Sequence, residues 1–343
     1  MRKEVLWAII AGIFLGLIVA FGVYRINSSI SGNKKVNTGL STPTPKPANL
    51  GEFKIVLDKP GDNDVITQDT VTVSGLTKAL SWITISGEEG DYIVQSDKSG
   101  VFSQEVDLVA GVNQIKVTAF ESNGTKSATG VLVIYSSSFQ TKTLPTDSPN
   151  GQASGTSDIR KKVAQDVANT MSQPKAYIGT VTDITDSTVE IKTKASEIKQ
   201  ISANSETTNV INSTGTTSKT VKTTDIAIGD FIVAMGYVDG NSVLTAQRIL
   251  ITNPVTDPKI TVNYAKVVSV TKKALSVKTI PDNTDDSVQP NTKTSVEAFQ
   301  DGKTLSGKFA SIEAEEIIIY VKTTDDKGVS AVRSIFQLTK PQG

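Results

Sequence analysis

One unbroken apolar run opens the chain, and from residue 53 onward apolar and polar positions mostly alternate. Val5 to Tyr24 reads VLWAIIAGIFLGLIVAFGVY, 20 residues without a charge. A helix of that length spans about 30 Å, the thickness of a bilayer's hydrocarbon layer. Trp7 and Tyr24 stand near its two ends, where amphipathic rings favour the interface. Residues 1–25 are therefore predicted to be a transmembrane anchor whose partner is the lipid bilayer. Arg2 and Lys3 on the short flank predict a single-pass topology in the cell membrane, with a cytoplasmic N-terminus and extracytoplasmic C-terminal domains. Ala20-Phe21-Gly22 also reads as a small-x-small cleavage site, so a cleaved signal peptide stands as the alternative. Gly12 and Gly16 form a GxxxG pair that suits close helix packing, although glycine is common in single spans.

Residues 26–50 hold almost no apolar side chains and carry a Thr-Pro-Thr-Pro-Lys-Pro run, the composition of a disordered, locally extended linker. Residues 51–136 then take up a period of two. Val71 and Val73 alternate with Thr70, Thr72 and Ser74; Ile83 and Ile85 alternate with Trp82 and Thr84. Turn residues separate the runs, as in Pro60-Gly61-Asp62-Asn63 and Asp97-Lys98-Ser99-Gly100. About seven strands in about 85 residues predict a β-sandwich. The alternation puts Trp82 on the face opposite Ile83 and Ile85, either at the end of a core or as an exposed ring for a sugar or a partner.

Residues 137–156 read as a second flexible linker. Over 157–173 the period lengthens: Ile159, Val163, Val167 and Met171 recur every four residues behind Ser157, and Gln173-Pro174 ends the pattern. This predicts one short amphipathic helix. Its stripe packs on the next domain or makes a short coiled-coil contact with another subunit.

The remaining chain repeats itself. Tyr177-Ile178-Gly179-Thr180-Val181 leads to Val189-Glu190-Ile191-Lys192-Thr193, and Val267-Val268-Ser269-Val270-Thr271 leads to Leu275-Ser276-Val277-Lys278-Thr279, 86 residues on from Val189. Ile226 to Val233 matches Ile312 to Ile319 at the same offset, and Thr245 to Ile249 matches Ser330 to Ile335. Two copies are predicted, residues 174–254 and 258–340, each of five or six strands and the size of an OB-like small β-barrel. This last match makes Arg248 and Arg333 equivalent, and with Trp82 they are the interaction candidates. Where the first copy has Gly229-Asp230 the second has Glu315-Glu316, so that loop is expected to differ. The fold class is thus mainly β, with one anchor helix and one amphipathic helix.

Composition narrows the chemistry. Among 343 residues there is no cysteine and no histidine, and 35 basic side chains balance 35 acidic ones. Disulfides, thiol nucleophiles and imidazole ligands are excluded, which leaves carboxylates, Ser, Thr, Lys and Tyr. The neutrality conceals a basic start, +5 over residues 1–50, and an acidic sandwich, −6 over residues 51–136. A nucleic-acid-binding barrel needs a basic groove interleaved with aromatics; in residues 176–253 acidic side chains outnumber basic ones and no aromatic run occurs. No Gly-x-Ser-x-Gly elbow or phosphate-binding loop is present. The acidic residues sit mostly in turns, such as Asp239-Gly240-Asn241. No enzyme, no catalytic residue, no cofactor and no nucleic-acid partner are expected. Asp58, Asp62, Asn63 and Asp64 crowd together; such oxygen ligands suit Ca²⁺, but acidic turn residues explain them equally, and no metal site is assigned.

Lys59-Pro60-Gly61-Asp62, Thr70 to Gly75, Ile83 to Gly87, Asp97 to Ser103 and Gly111 to Ala119, in that order, resemble the bacterial Ig-like accessory domain of the glucodextranase type. The resemblance implies an Ig-like sandwich that serves as a non-catalytic spacer or binding module on surface proteins. Phe120-Glu121 departs from it, standing where that family often has Thr-Asp. Gly179-Thr180-Val181, Ile228 to Val233 and Thr245 to Ile249 resemble an uncharacterised bacterial extracytoplasmic barrel family, which implies fold and location only. The expected function is a membrane-anchored extracytoplasmic β protein with a binding, spacer or scaffold role at the bacterial cell envelope. A carbohydrate- or cell-wall-binding module and an accessory subunit of an envelope complex are the alternatives, with a glycan or an envelope protein as partner.

Overall fold

A computed structural model describes residues 53–139 and 173–338, apart from 216, 258, 301 and 326. The chain divides into Met1–Pro47 and Ala48–Gly343, and every described residue belongs to the second unit. The expected anchor, the first linker, nearly all of the second linker and the amphipathic helix lie outside the described residues. Within them the chain is mainly β, and no helix is long and apolar enough to cross a membrane.

The first module holds β1 (Val56–Lys59), β2 (Asp64–Ile66), β3 (Thr70–Leu76), β4 (Trp82–Ser86), β5 (Asp91–Gln95), β6 (Val101–Asp107), β7 (Gly111–Phe120) and β8 (Lys126–Tyr135). Strands β1-β3-β6 form one sheet and β2-β8-β7-β4-β5 the other. Their inward residues, among them Val73, Ile83, Ile85, Phe102, Val106, Ile115, Val117 and Val133, make a single buried core. Alternation selects them: Ile83 and Ile85 point inward while Trp82 points out, as the period of two requires.

The duplication appears strand for strand. Copy 1 comprises β9 (Lys175–Thr185), β10 (Thr188–Lys192), β11 (Ile198–Ser202), β12 (Asn209–Asn212), β13 (Lys219–Val221), β14 (Phe231–Val238) and β15 (Val243–Thr252). Copy 2 comprises β16 (Ile260–Val270), β17 (Leu275–Thr279), β18 (Asp285–Val288), β19 (Ser295–Gln300), β20 (Lys303–Ser306), β21 (Ile317–Thr324) and β22 (Ser330–Leu338). Among the described residues each copy therefore has seven strands where five or six were expected. The β-bulges are duplicated too: Thr182 and Val268 are skipped in β9 and β16, Gln247 and Arg333 in β15 and β22, each pair 86 residues apart. A bulge is a specific local device, so two in register argue for descent from one unit.

This register corrects one expectation. Arg248 faces Met235 across the ladder, whereas its counterpart facing Val321 is Ser334. Arg333 corresponds to Gln247, so the two arginines are not equivalent; the sequence match slipped by one residue at the bulge. A second expectation also changes. In copy 2 the Glu315 N–H donates to Val267 O at 2.9 Å, as Gly229 N–H does to Val181 O at 2.9 Å. Glu316 caps the Glu313 N–H just as Asp230 caps that of Ala227. The loop keeps its geometry, with Glu315 at φ 74° where glycine stands at φ 96°. A left-handed conformation is unfavourable for glutamate. Glu315→Gly is expected to raise stability by about 0.5–1 kcal/mol, read as a later urea midpoint; a lower one would contradict the equivalence.

The copies differ in closure. In copy 1 a ring runs β9-β10-β11-β15-β14 and back to β9, sealed by parallel pairing of Gln200, Ile201 and Ser202 with Val243, Leu244 and Thr245. In copy 2 the path is open, since among the described residues β18 pairs only with β17. Two glycines of copy 1 stand where copy 2 carries side chains. A Cβ on Gly236 would lie 2.0 Å from Thr245 O, and one on Gly179 would lie 2.3 Å from Lys192 O. Their counterparts are Lys322 and Ala265. Glycine allows the tight coiling that brings β15 onto β11. Leu244, fully buried, then fills the closed interior, while its counterpart Ser330 is exposed.

Candidate functional site

The sheet β2-β8-β7-β4-β5 has a second face, and the two copies cover it. Val65, Ile134 and Phe139 pack against Ala176, Val233 and Met235 of copy 1, flanked by Ile178 and Leu250. Ile93, Phe120 and Trp82 pack against Val262, Tyr264, Ile319, Val321 and Phe336 of copy 2. The residues of copy 2 are the counterparts of those of copy 1, each 86 positions on. One ancestral apolar face thus docks twice on one sheet. The sheet β1-β3-β6 carries no such cover, and its strands alternate with exposed Thr72, Ser103 and Glu105.

The three candidate residues fall in or near these seams. Trp82 is half-buried, its ring edge-on to Phe299 with centroids 4.9 Å apart. Arg333 is also half-buried: Nη2 donates to Gly87 O at 2.8 Å, and Nε lies 3.3 Å from Asp91 Oδ2. The structure therefore brings Trp82 and Arg333 to the same seam, between the sandwich and copy 2. Arg248 stands apart on β15 beside Met235, its Nε buried without a partner. Asp62 and Asp64 serve the turn and the copy 1 seam: Asp62 accepts the Leu132 N–H at 3.0 Å, and Asp64 accepts that of Gly61 at 2.7 Å and pairs with Lys175.

Sequence reasoning missed Asp91, whose carboxyl side chain is wholly buried beside Arg333. Its Oδ2 accepts the Ser334 hydroxyl at 2.6 Å, while Oδ1 has no partner. Three hydroxyls on the same covered face, of Thr84, Ser86 and Thr118, are likewise unpaired; Thr84 sits opposite Thr118 and Ser86 opposite Asp91. Lys116 reaches across to Ile260 O at 2.7 Å; burial, with help from Lys126, lowers its pKa. The signal for this seam was present in outward-facing Trp82, Ile93 and Phe120, since apolar residues on both faces mark a strand covered twice.

At one end of the seam Gly124 approaches Ile280 so closely that a Cβ would come within 2.5 Å of its backbone. Beside it lies a cleft of about 510 Å³ whose walls include Thr125, Lys126, Asn263, Tyr264, Pro281 and Asp282. Asp286, also on its wall, accepts from Tyr320 Oη at 2.7 Å and from Lys322 Nζ at 2.7 Å. Burial pushes the Asp286 carboxyl up, but the Lys322 ammonium and the Tyr320 hydroxyl together outweigh it and hold the pKa below the usual carboxylate range. These groups satisfy one another, and the lowered pKa keeps the Asp286 carboxyl ionised at neutral pH.

Tyr92 gives the seam-bearing module an alkaline limit. Its hydroxyl donates to Asp107 Oδ2 at 2.9 Å. Burial first, then the Asp107 carboxylate, push its pKa up to about 12 against the pull of the Asp107 N–H. The folded value exceeds the unfolded one of about 10, so the contribution is complete below that pH and fades as pH rises towards the folded value. Tyr92→Phe is expected to flatten the fall in melting temperature between pH 10 and 12. An identical fall in the two proteins would remove Tyr92 from the account.

Comparison with known proteins agrees with the first module. Residues 54–136 match the family described as glucodextranase, domain B, an Ig-like domain. No curated protein sequence matches the chain. Among solved structures, the YadV chaperone is 9% identical, with 81% of this chain and 96% of that one covered and a TM-score of 0.19. A tetra-tandem repeat from the extending region of a large adhesion protein is 16% identical, with coverage of 83% and 74% and a TM-score of 0.20. A 1.5-MDa bacterial ice-binding adhesin is 12% identical, with coverage of 83% and 95% and a TM-score of 0.18.

Proposed function

We propose that the chain is a membrane-anchored, extracytoplasmic scaffold of the bacterial envelope, built from an Ig-like module and a duplicated OB-like barrel. The observation that carries this reading is the disposition of polar side chains. Asp62, Asp64, Asp91 and Arg333 are committed to turns and module contacts, and Asp286 and Lys322 to each other within copy 2. That is how a structural protein uses charge, and it fits a glucodextranase domain B match over residues 54–136. The OB-like assignment rests on copy 1, whose five ring strands close with one parallel pair, in keeping with a small Greek-key barrel. The anchor rests on Val5 to Tyr24.

Fractionation of cells that express the full chain tests the reading. The protein is expected in the membrane fraction after a carbonate wash, with the modules open to external protease in spheroplasts. Protection of the modules from protease would overturn the extracytoplasmic placement. Release into the medium, shortened near Ala20, would replace the anchor by a cleaved signal.

The cleft beside Gly124 supports a second reading as a glycan-binding module, because amide, hydroxyl and carboxylate groups surround an apolar floor of Val262, Ile280 and Pro281. Binding of a cell-wall glycan that Asn263→Ala and Asp282→Ala abolish would support it, and a blank screen would remove it.

A further inference from the structure

The two copies meet the sandwich through equivalent faces, yet they are held by different means. Copy 1 continues the sandwich sheet: Val65 N–H donates to Pro174 O at 3.1 Å, Ala176 N–H to Asn63 O at 2.8 Å, and Lys175 pairs with Asp64. Among the described residues no backbone–backbone hydrogen bond joins copy 2 to the sandwich. Its polar ties all use side chains, chiefly Arg333 and Ser334 on Asp91 and Gly87, and Lys116 on Ile260. Beneath them four buried polar atoms, on Thr84, Ser86, Thr118 and Asp91, have no partner.

An unpaired buried polar atom regains its hydrogen bond from water when its cover lifts. Opening the copy 2 seam therefore hydrates four groups and offsets part of the cost of exposing Trp82, Ile93 and Phe120. The copy 1 seam offers less of it, a single unpaired atom at Arg248 Nε beside Met235, and would break strand pairing as well. Residues 253–259 connect the copies and lie between β15 and β16, so copy 2 can leave while copy 1 stays. The surface that fits the uncovered face, in shape and in the charge opposite Asp91, is copy 2 itself.

We infer that copy 2 is exchangeable: released from its own sandwich, it seats on that of a second copy of this chain, giving a reciprocally swapped dimer. The same residues meet in trans as in cis, so exchange is close to neutral and concentration sets the dimer population. The inference does not depend on the membrane reading.

The test uses the full chain in detergent with Trp7→Phe, which leaves Trp82 as the single tryptophan. Asp91→Arg and Arg333→Asp each place like charges at the seam, and each chain alone is expected to be monomeric with red-shifted Trp82 emission. When the two are mixed, one swapped seam pairs the reversed charges and the other is wild type. Emission is expected to return and the scattering mass of the protein to double. Asp91→Arg with Arg333→Asp in one chain checks that the reversed pair fits, and should close as a monomer. A second measurement avoids charge reversal. Because the sequence has no cysteine, Ser103→Cys and Ser330→Cys at exposed positions carry a donor and an acceptor on separate chains. Energy transfer is expected after the two are concentrated together in mild urea and dialysed. A mixture that stays monomeric while the double variant closes would overturn the inference, as would labelled chains that show no transfer.

Discussion

Gly236→Ala is expected to destabilise copy 1 by about 3 kcal/mol, the upper range for forcing an extra methyl into a packed site. The added Cβ would collide with Thr245 O at 2.0 Å, and that oxygen is backbone, so no side chain can turn aside. Thr245 is paired with Ser202 across the sealing ladder of the ring. Strain at Gly236 therefore acts on the closure itself. Hydrogen exchange should report it first: amides of Gln200 to Ser202 and Val243 to Thr245 are expected to lose protection, while those of β7 and β8 keep theirs. Copy 2 carries Lys322 at the same place and remains open. Lys322→Gly is accordingly predicted to leave the open path unchanged, because β18 and β22 lack the packing that Leu244 supplies in copy 1. Unaltered protection in Gly236→Ala would show that something other than backbone approach holds the ring.

Arg333→Ala is the second large effect. It strips the wholly buried Asp91 carboxylate of its cation and leaves one Ser334 hydroxyl. Removing one partner of a buried pair costs about 3–5 kcal/mol when the remaining charge cannot reach water. Here it can, because the seam opens. The expected result is partial: Trp82 emission shifts to the red as its ring parts from Phe299, while the far-ultraviolet spectrum of the strands is retained. Arg333→Lys should reverse only part of the shift, since a lysine keeps the charge but loses the fork that reaches both Asp91 and Gly87 O. Loss of all β structure would instead make Arg333 part of the folding core.

Much of this was legible in the chain. The period of two around Ile83 and Ile85, interrupted by Pro60-Gly61-Asp62-Asn63 and its like, encodes strands and turns because side chains alternate across a sheet and turns need particular backbone angles. The near-constant offset exposed the duplication. The seam was less legible. Trp82 was correctly assigned to the outward face, but Phe299, more than 200 residues away, carries no local mark of being its neighbour. Arg333 was noticed for the wrong reason, as a counterpart of Arg248. The bulge recurs at the same place in both copies, so the offset of 86 runs through it and pairs Arg333 with Gln247; the cross-strand register shows that the match at 85 aligns the wrong residue.

Sequence alone determined the mainly β character, the Ig-like module, the repeat, and the lack of thiol and imidazole chemistry. These follow from side-chain periodicity and residue type, which act over a few neighbours. Tertiary structure alone decided that copy 1 closes and copy 2 does not, that one apolar face docks twice on a single sheet, and that a buried carboxylate lies at the second seam. Those outcomes depend on whether distant backbones approach to within a hydrogen bond, and at Gly236 that approach turns on the space of one Cβ.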